Sequence, residues 1–281
     1  MLLYAPHRRF ETGTTYVNSP LPPPDIAALD AALAALAGLP ERIQAIRAAV
    51  RGRIAFSTSL GIEDQAVLHA IASSGAGQQI DILTLDTGRH FPETLDTLEA
   101  SIARYRLPIR VIAPDPVEIE ALVARDGING FRSSVGNRKA CCDVRKVRPL
   151  NRALAGASGW ITGLRRAQSV GRTETPFAAQ DAATGLVKLN PLADWSLERL
   201  EDYVAANAIP VNALHAQGFP SIGCQPCTRA VRAGEDIRAG RWWWENEAPL
   251  AHMDGKECGL HNNPNRPRPA AASTGPKEVR P

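Results

Sequence analysis

The sequence has no uninterrupted run of about 18 apolar residues, the length a membrane-crossing helix needs, so nothing in it is expected to span a bilayer. Its start, Met1-Leu2-Leu3-Tyr4-Ala5-Pro6-His7-Arg8-Arg9, lacks the apolar core of an export signal. Cysteine is scarce, with five in 281 residues. Without an export signal that argues against a disulfide framework and for a reducing cytoplasm. Lysine supplies only five of the 32 basic side chains (139, 146, 188, 256 and 277). Arginine supplies the rest, which suits planar recognition of phosphate or sulfate, although an arginine-biased genome gives the same ratio. Aromatic residues make up 5% and the net charge is +3, so neither feature suggests a general nucleic-acid coat. The length and a hydrophobic content of 44% are ordinary for an enzyme with one full core.

What charge there is lies unevenly. From Arg132 to Arg172 ten Lys or Arg residues face one acid, Asp143, so this stretch carries +9 and the remainder −6. That pattern reads as a local anion site. Inside it lies Arg138-Lys139-Ala140-Cys141-Cys142-Asp143-Val144-Arg145-Lys146, and Cys224-Gln225-Pro226-Cys227 follows 82 positions after Cys142. Two pairs of thiolates suit either zinc or an iron–sulfur cluster. A vicinal pair is awkward around one small ion, whereas adjacent thiolates reach different irons of a wider cluster. The surrounding cations suit the negative charge of a four-thiolate cluster and of an anionic substrate beside it. The plain alternative is a buried cysteine pair on a solvated basic helix.

Along the chain, residues 1–24 are rich in Pro and Thr and read as a loosely held arm. Asp25 caps a helix carrying Ile26, Leu29, Leu33 and Leu36, ended by Gly38 and Pro40, and a second helix carries Ile43, Ile46 and Val50. Strands are expected at 53–57, 79–85, 108–113, 160–162 and near 186–190, with helices at 63–74, 92–105 and near 116–125. Short strands alternating with helices predict a doubly wound α/β sheet, mainly parallel and flanked by helices, with a cysteine-bearing C-terminal segment. The domain is expected over 25–241, followed by a mobile segment over 242–261 and a disordered tail over 262–281.

Such sheets bind ligands at the carboxyl ends of their strands. Three polar strand ends qualify. Ser57-Thr58-Ser59-Leu60-Gly61 opens a helix and offers amides and hydroxyls to an anion at the positive end of the helix dipole, with Ser57, Thr58, Ser59 and Gly61 the contacting residues. Leu85-Asp86-Thr87-Gly88 ends the next strand, and Gly163-Leu164-Arg165-Arg166 sets two guanidinium groups beyond a later one. The plain alternatives are a capped helix start and a solvated arginine pair. Together they favour one nucleotide pocket. The first turn resembles the S-G-G-x-D-S loop of the adenine-nucleotide alpha-hydrolase superfamily, with the glycine pair replaced by Thr58-Ser59.

The fifth cysteine, Cys258, sits in Gly255-Lys256-Glu257-Cys258-Gly259-Leu260-His261, 31 positions after Cys227. A four-thiolate site does not need it. A free thiol is only about 3% thiolate at pH 7, so cationic neighbours would raise its nucleophilicity. The Cys141-Cys142 pair, Cys224-x-x-Cys227 and Glu257-Cys258-Gly259-Leu260-His261 together resemble the assimilatory adenylyl-sulfate reductases, the iron–sulfur branch of the APS/PAPS reductase family. The likeness covers roughly residues 40–261.

This resemblance implies one 4Fe–4S cluster per chain on Cys141, Cys142, Cys224 and Cys227, with Lys146 as the cation near it. It also implies adenylyl sulfate as substrate, a separate thioredoxin as reductant, and Cys258 as the nucleophile that becomes S-sulfocysteine. Arg238 and Arg241 resemble family arginines that approach the phosphosulfate, and His261 joins the substrate-binding set. No nucleic-acid or membrane partner is expected, and a homo-oligomer is compatible with the sequence. The competing readings are a PAPS reductase, an ATP-dependent adenylating or tRNA-thiolating enzyme of the same superfamily, and a zinc-stapled RNA-binding module. The third is weakened by sparse aromatics around 132–172, with Phe131 and Trp160 alone, and by leaving Cys258 unexplained.

Overall fold

Alternation along the strands decides which residues face which layer. Ile54 and Phe56 of β1 (Ile54–Thr58) enter one core and Ala55 the other, as the period-two geometry of a strand requires. The computed structural model describes residues 24–246. Six strands form one sheet in the order β3-β2-β1-β4-β6-β5. Here β2 is Ile80–Leu85, β3 Ile109–Ile112, β4 Gly159–Ile161, β5 Ala178–Gln180 and β6 Val187–Leu189. All neighbours pair in parallel except β5, which runs antiparallel to β6. The expected doubly wound sheet is therefore present, and β5 is an antiparallel edge that periodicity did not reveal.

The larger core lies between one face of the sheet and helices α1 (Ile26–Ala35), α2 (Leu39–Ala49) and α3 (Ile62–Ser73), with Leu29, Leu33, Ile43, Ile46, Val67 and Ile71 in it. Asp25 caps α1 by accepting from the Ala28 amide at 3.0 Å, as its sequence position suggests. Helix α8 (Leu197–Ala206), which the sequence reading omitted, adds Leu200 and Val204 to the same core. Helix α4 (Pro92–Tyr105) turns polar side chains inward, and Ser101 receives a hydrogen bond from Gln65 of α3 at 2.8 Å. Buried Arg42 clamps α2 to the chain beyond β6 through Asp194 at 2.6 and 2.9 Å and the Pro191 carbonyl at 2.8 Å.

The opposite core is small: Ala55, Leu83 and Trp160 from the sheet meet Leu150, Ala153 and Leu154 of α7 (Arg148–Leu154). Helix α5 (Pro116–Asp126) precedes this layer. Helix α6 (Val135–Cys142) joins α7 through Asp143–Val147, a turn in π geometry that adds residues to an otherwise continuous helix. Ser134 starts α6 by accepting from the Asn137 amide at 3.0 Å. The strand order reverses direction between β1 and β4, which opens a crevice at their carboxyl ends.

Residues 242–245, expected to belong to a mobile segment, are packed against the body. Trp242 is buried and Glu245 pairs with Arg138 at 2.7 Å, so the packed body extends through these residues. Among the described residues no helix is long and apolar enough to cross a membrane.

Candidate active site

The turn after β1 is shaped by its own side chains. Leu60 takes a positive φ of 62°, a conformation L-residues avoid, and its amide donates to Thr58 Oγ1 at 3.0 Å. Asp64, at the start of α3, accepts from both the amide and the hydroxyl of Ser59 at 2.6 Å. Burial pushes the Asp64 carboxyl up to about 6 against these two bonds. Gly163, just past β4, comes so close to Asp64 and Glu63 that any Cβ would collide with them. Ser59, Asp64 and Gly163, with Ser57, Thr58, Thr84, Leu85, Thr87, His90, Trp160 and Thr162, line one cleft at the carboxyl ends of β1, β2 and β4. Ser57 Oγ accepts from Trp160 Nε1 at 2.8 Å, and Thr162 Oγ1 donates to Asn190 Oδ1 at 2.6 Å. Such a mix of apolar walls and fixed hydroxyls suits a nucleoside.

The cleft continues outward past Ser59 and Gly61 into a cationic region lined by Lys146, Arg172, Arg238 and Arg241, together with Gln168 and His215. Arg241 is buried, and its Nη1 donates to Ser221 Oγ and the Ile222 carbonyl, both at 3.3 Å. Gly223 has no room for a side chain because Arg241 lies against it. Guanidinium groups around a half-enclosed space are suited to a doubly charged phosphate or sulfate end.

The four described cysteines form a third wall of the same neighbourhood. All four line one cavity with Arg89, Arg138, Arg145 and Lys146, and none is in a disulfide. Helical spacing explains half of this: Cys141 and Arg145 are four residues apart, as are Cys142 and Lys146, so each thiol shares a face with a cation. The other half depends on loops. The Gln225 amide donates to the Arg89 carbonyl at 2.8 Å and the Trp242 amide to the Cys227 carbonyl at 3.1 Å. The Cys224 thiol donates to Thr87 Oγ1 at 3.3 Å, and Arg145 Nη1 donates to the Thr87 carbonyl at 2.7 Å. Arg145 Nε is buried with no hydrogen-bond partner among the described residues.

The thiols differ in acidity for physical reasons. Burial pushes Cys224 up, but Lys146, the Thr87 hydroxyl, Arg241 and Arg145 together outweigh it and hold the thiol below its ordinary value. Burial, reinforced by Cys224 and Cys142, pushes Cys227 up to about 12. Burial likewise raises Cys141, against Arg145. Among the described residues no three His, Cys, Asp or Glu side chains are grouped as a site for a metal ion, so the donor set itself, four thiols ringed by cations, is what bears on a bound cofactor.

The residues singled out from sequence sort themselves as follows. Ser57, Thr58, Ser59, Gly61, Leu85, Thr87, Lys146, Arg238 and Arg241 line the cleft and its outward extension. Asp86 and Gly88 build the turn instead: Gly88 has a positive φ of 66°, and its amide donates to Asp86 Oδ1 at 2.8 Å. Arg165 and Arg166, also expected at the cleft, make contacts of their own. Arg165 is 2% exposed and committed to Glu63 at 2.8 Å and the Trp195 carbonyl at 3.2 Å, and Arg166 Nε donates to the Thr175 carbonyl at 2.8 Å. Glu63 lies 102 positions before Arg165, so no local pattern announces the pair. Arg172 and Gln168 of the same stretch take the cleft positions. His215 and Ser221–Gly223 also went unread, since they carry no motif beyond their nearness to Cys224. Cys258 and His261 lie outside the described residues.

The family described as phosphoadenosine phosphosulfate reductase domain matches residues 53–230. The adenosine 5'-phosphosulfate reductase of Agrobacterium fabrum is 50% identical over 248 residues, covering 88% of this chain and 92% of that protein. The adenosine 5'-phosphosulfate reductase of Allochromatium vinosum is 50% identical over 219 residues, covering 78% and 82%. Among solved structures, the phosphoadenylyl-sulfate reductase of Candida auris in a phosphate complex superposes with a TM-score of 0.62 at 26% identity, covering 73% of this chain and 96% of that one.

Proposed function

Because the chain belongs to the phosphoadenosine phosphosulfate reductase family, and is an oxidoreductase on that ground, we propose that it reduces adenylyl sulfate to sulfite and AMP in sulfate assimilation. The observation that carries this reading is Lys146, which lines the nucleoside cleft, its cationic extension and the cysteine cavity alike. A single ammonium bordering all three suits a substrate whose sulfonate end meets the cysteine site.

In this reading the turn at Ser57–Gly61 and the Thr84, Trp160 and Thr162 walls hold the nucleoside. Arg172, Arg238 and Arg241 hold the phosphosulfate and stabilise charge on the departing phosphate. The Cys258 thiolate attacks sulfur, the sulfur–oxygen bond to AMP breaks, and AMP leaves with the electron pair. A thioredoxin thiolate then attacks the Cys258 sulfur and releases sulfite, and its second thiol reduces the mixed disulfide. Two thiols thereby supply the two electrons.

Cys141, Cys142, Cys224 and Cys227 would hold a 4Fe–4S cluster, and the gathering of these four cysteines in one cavity walled by Arg89, Arg138, Arg145 and Lys146 supports that donor assignment. Such a group would supply a fixed charge that orders the chain around Lys146 and shapes the field at the sulfonate. Four cysteines outside any disulfide suit a reducing cytoplasm.

The test begins with protein purified without oxygen, which should be brown and hold about four irons per chain. Mixed with adenylyl sulfate and no reductant, it should release about one AMP per chain and leave sulfonate mass on the Cys258 peptide. Reduced thioredoxin should discharge that mass as sulfite. Cys258→Ser should lose the burst and keep its iron. Colourless protein with one zinc, or sulfite formation by Cys258→Ser at the parent rate, would overturn the reading. Equal turnover of the 3'-phosphorylated nucleotide would move the substrate to PAPS and leave the chemistry standing.

A further inference from the structure

One group in the cationic half of the cleft has no part in the proposed reaction. His215 stands on a 3-10 turn, Ala213–Gln217, capped by Asn212 and closed by Gly218 at a φ of +83°. Its Nδ1 lies 2.9 Å from the Phe219 carbonyl oxygen. A carbonyl only accepts, so Nδ1 carries the hydrogen and a neutral ring must present Nε2 as a bare lone pair. That Nε2 is buried and has no hydrogen-bond partner among the described residues, and His215 is one of the residues lining the cleft. Burial holds the imidazole below its ordinary value, against the Phe219 carbonyl and Glu63, so the ring is neutral at pH 7.

A buried acceptor without a donor is costly, and the occupant expected here does not relieve it. Phosphate and sulfate oxygens of a phosphosulfate carry no hydrogen near neutral pH. Two lone pairs facing each other repel, so one side must acquire a proton. The charged groups around His215 decide which. Glu63 and Asp64 at the start of α3 favour a proton on the ring, while Lys146, Arg172, Arg238 and Arg241 oppose it. An entering anion neutralises the four cations and tips the balance toward the imidazolium.

We propose that His215 takes up a proton from solvent when the phosphosulfate end of the nucleotide binds, and then donates from Nε2 to one of its oxygens while Nδ1 keeps its bond to Phe219. The proposal rests on reading the cleft as a sulfonucleotide site. No substrate bond changes in this step, and the proton returns to solvent when the nucleotide leaves. Affinity should then rise as pH falls through neutrality, by at most about tenfold per pH unit for a single linked proton.

The experiment uses the iron-loaded, full-length Cys258→Ser protein, which binds adenylyl sulfate without consuming it. Calorimetric titration at pH 7.5 in two buffers of different ionisation heat counts protons bound with the nucleotide. The expected result is uptake of up to about one proton with adenylyl sulfate and none with adenosine. His215→Gln and His215→Asn in the same background should abolish the uptake and flatten the pH dependence. Asparagine can still donate to the Phe219 carbonyl, so it guards against a merely structural loss; iron content checks that both variants fold. Tight binding without proton uptake in the parent overturns the proposal and leaves the substrate reading intact. Undiminished uptake in both His215 variants overturns it too and assigns the proton elsewhere, Asp64 first. A parent that binds no adenylyl sulfate removes the substrate reading, and the proposal falls with it.

Discussion

The nucleoside cleft and the cysteine cavity share Lys146 and touch at Thr87, yet they are held by different means. The cleft is set by the sheet: its walls are the ends of β1, β2 and β4, whose register is fixed by parallel pairing from Ile54 to Thr84 and Gly159 to Ile161. The cavity is set by cations that reach across to carbonyls and carboxylates, Arg145 to Thr87, Arg89 to Ile128 and Arg138 to Glu245. A sheet transmits little when one side chain changes. A ring of clamps transmits a great deal, because each clamp ties two segments distant in sequence. Damage should therefore remain local in the cleft and spread from the cavity.

The strongest way to break this contrast is to disrupt the helix under the vicinal pair. Ala140→Pro removes an intrahelical hydrogen bond in α6 and clashes with the preceding turn, at a cost of about 3 kcal/mol or more. Denaturant midpoints should fall accordingly, and iron content and activity should fall together. A variant that kept its iron would mean the cavity does not depend on helical spacing.

Next in size is a titration inside the cleft. The Asp64 carboxyl is raised by burial to about 6, so the folded state binds its proton more tightly than the unfolded chain does. A raised value means that its favourable contribution is complete below the ordinary carboxyl range and is lost as pH climbs through about 6. The ionised form then weighs against folding by at most about 3 kcal/mol. Asp64→Asn does not titrate, so its stability relative to the parent should increase between about pH 4.5 and 7.5 in urea unfolding. Iron content should not change if the cleft is independent. A difference that stays flat with pH would put Asp64 outside this balance.

The smallest effect should come from the shared member. Thr87→Val removes the hydroxyl that meets Cys224 at 3.3 Å and accepts from the Arg89 amide at 3.3 Å, while leaving the carbonyl that Arg145 holds. About 1 kcal/mol of stability should be lost, with iron retained and the nucleotide KM shifted a few-fold. Loss of iron from this variant would show that the two regions are one mechanical unit.

How far all this was legible beforehand follows the same division. The sheet announces itself through short apolar strands and polar strand ends, so the turns after β1 and β2 were readable as ligand walls. The cysteine pairs declare themselves by residue type. Contacts made across long sequence distances did not: Glu63 captures Arg165, which made a strand-end arginine look available when it is buried. His215 needs the fold to bring it to the cleft, and β5, a three-residue edge strand, is too short to show a period. Helix α8 has a clear amphipathic face in Leu200 and Val204, a signal that local periodicity carries in full.

The π turn at Asp143–Val147 has a consequence for how this helix can vary. An extra residue in a helix rotates everything after it by about 100° relative to what came before. Cys141 and Cys142 can thus aim at one customer while Leu150, Ala153 and Leu154 aim at another, the underside of the sheet. The helix is deliberately out of phase with itself. Dropping one residue from the turn would yield a straighter and more regular rod, yet no rotation of that rod could satisfy both faces at once. Insertions and deletions should therefore be harder to accept here than in any surface loop of the chain, even though the turn is the least regular part of the helix.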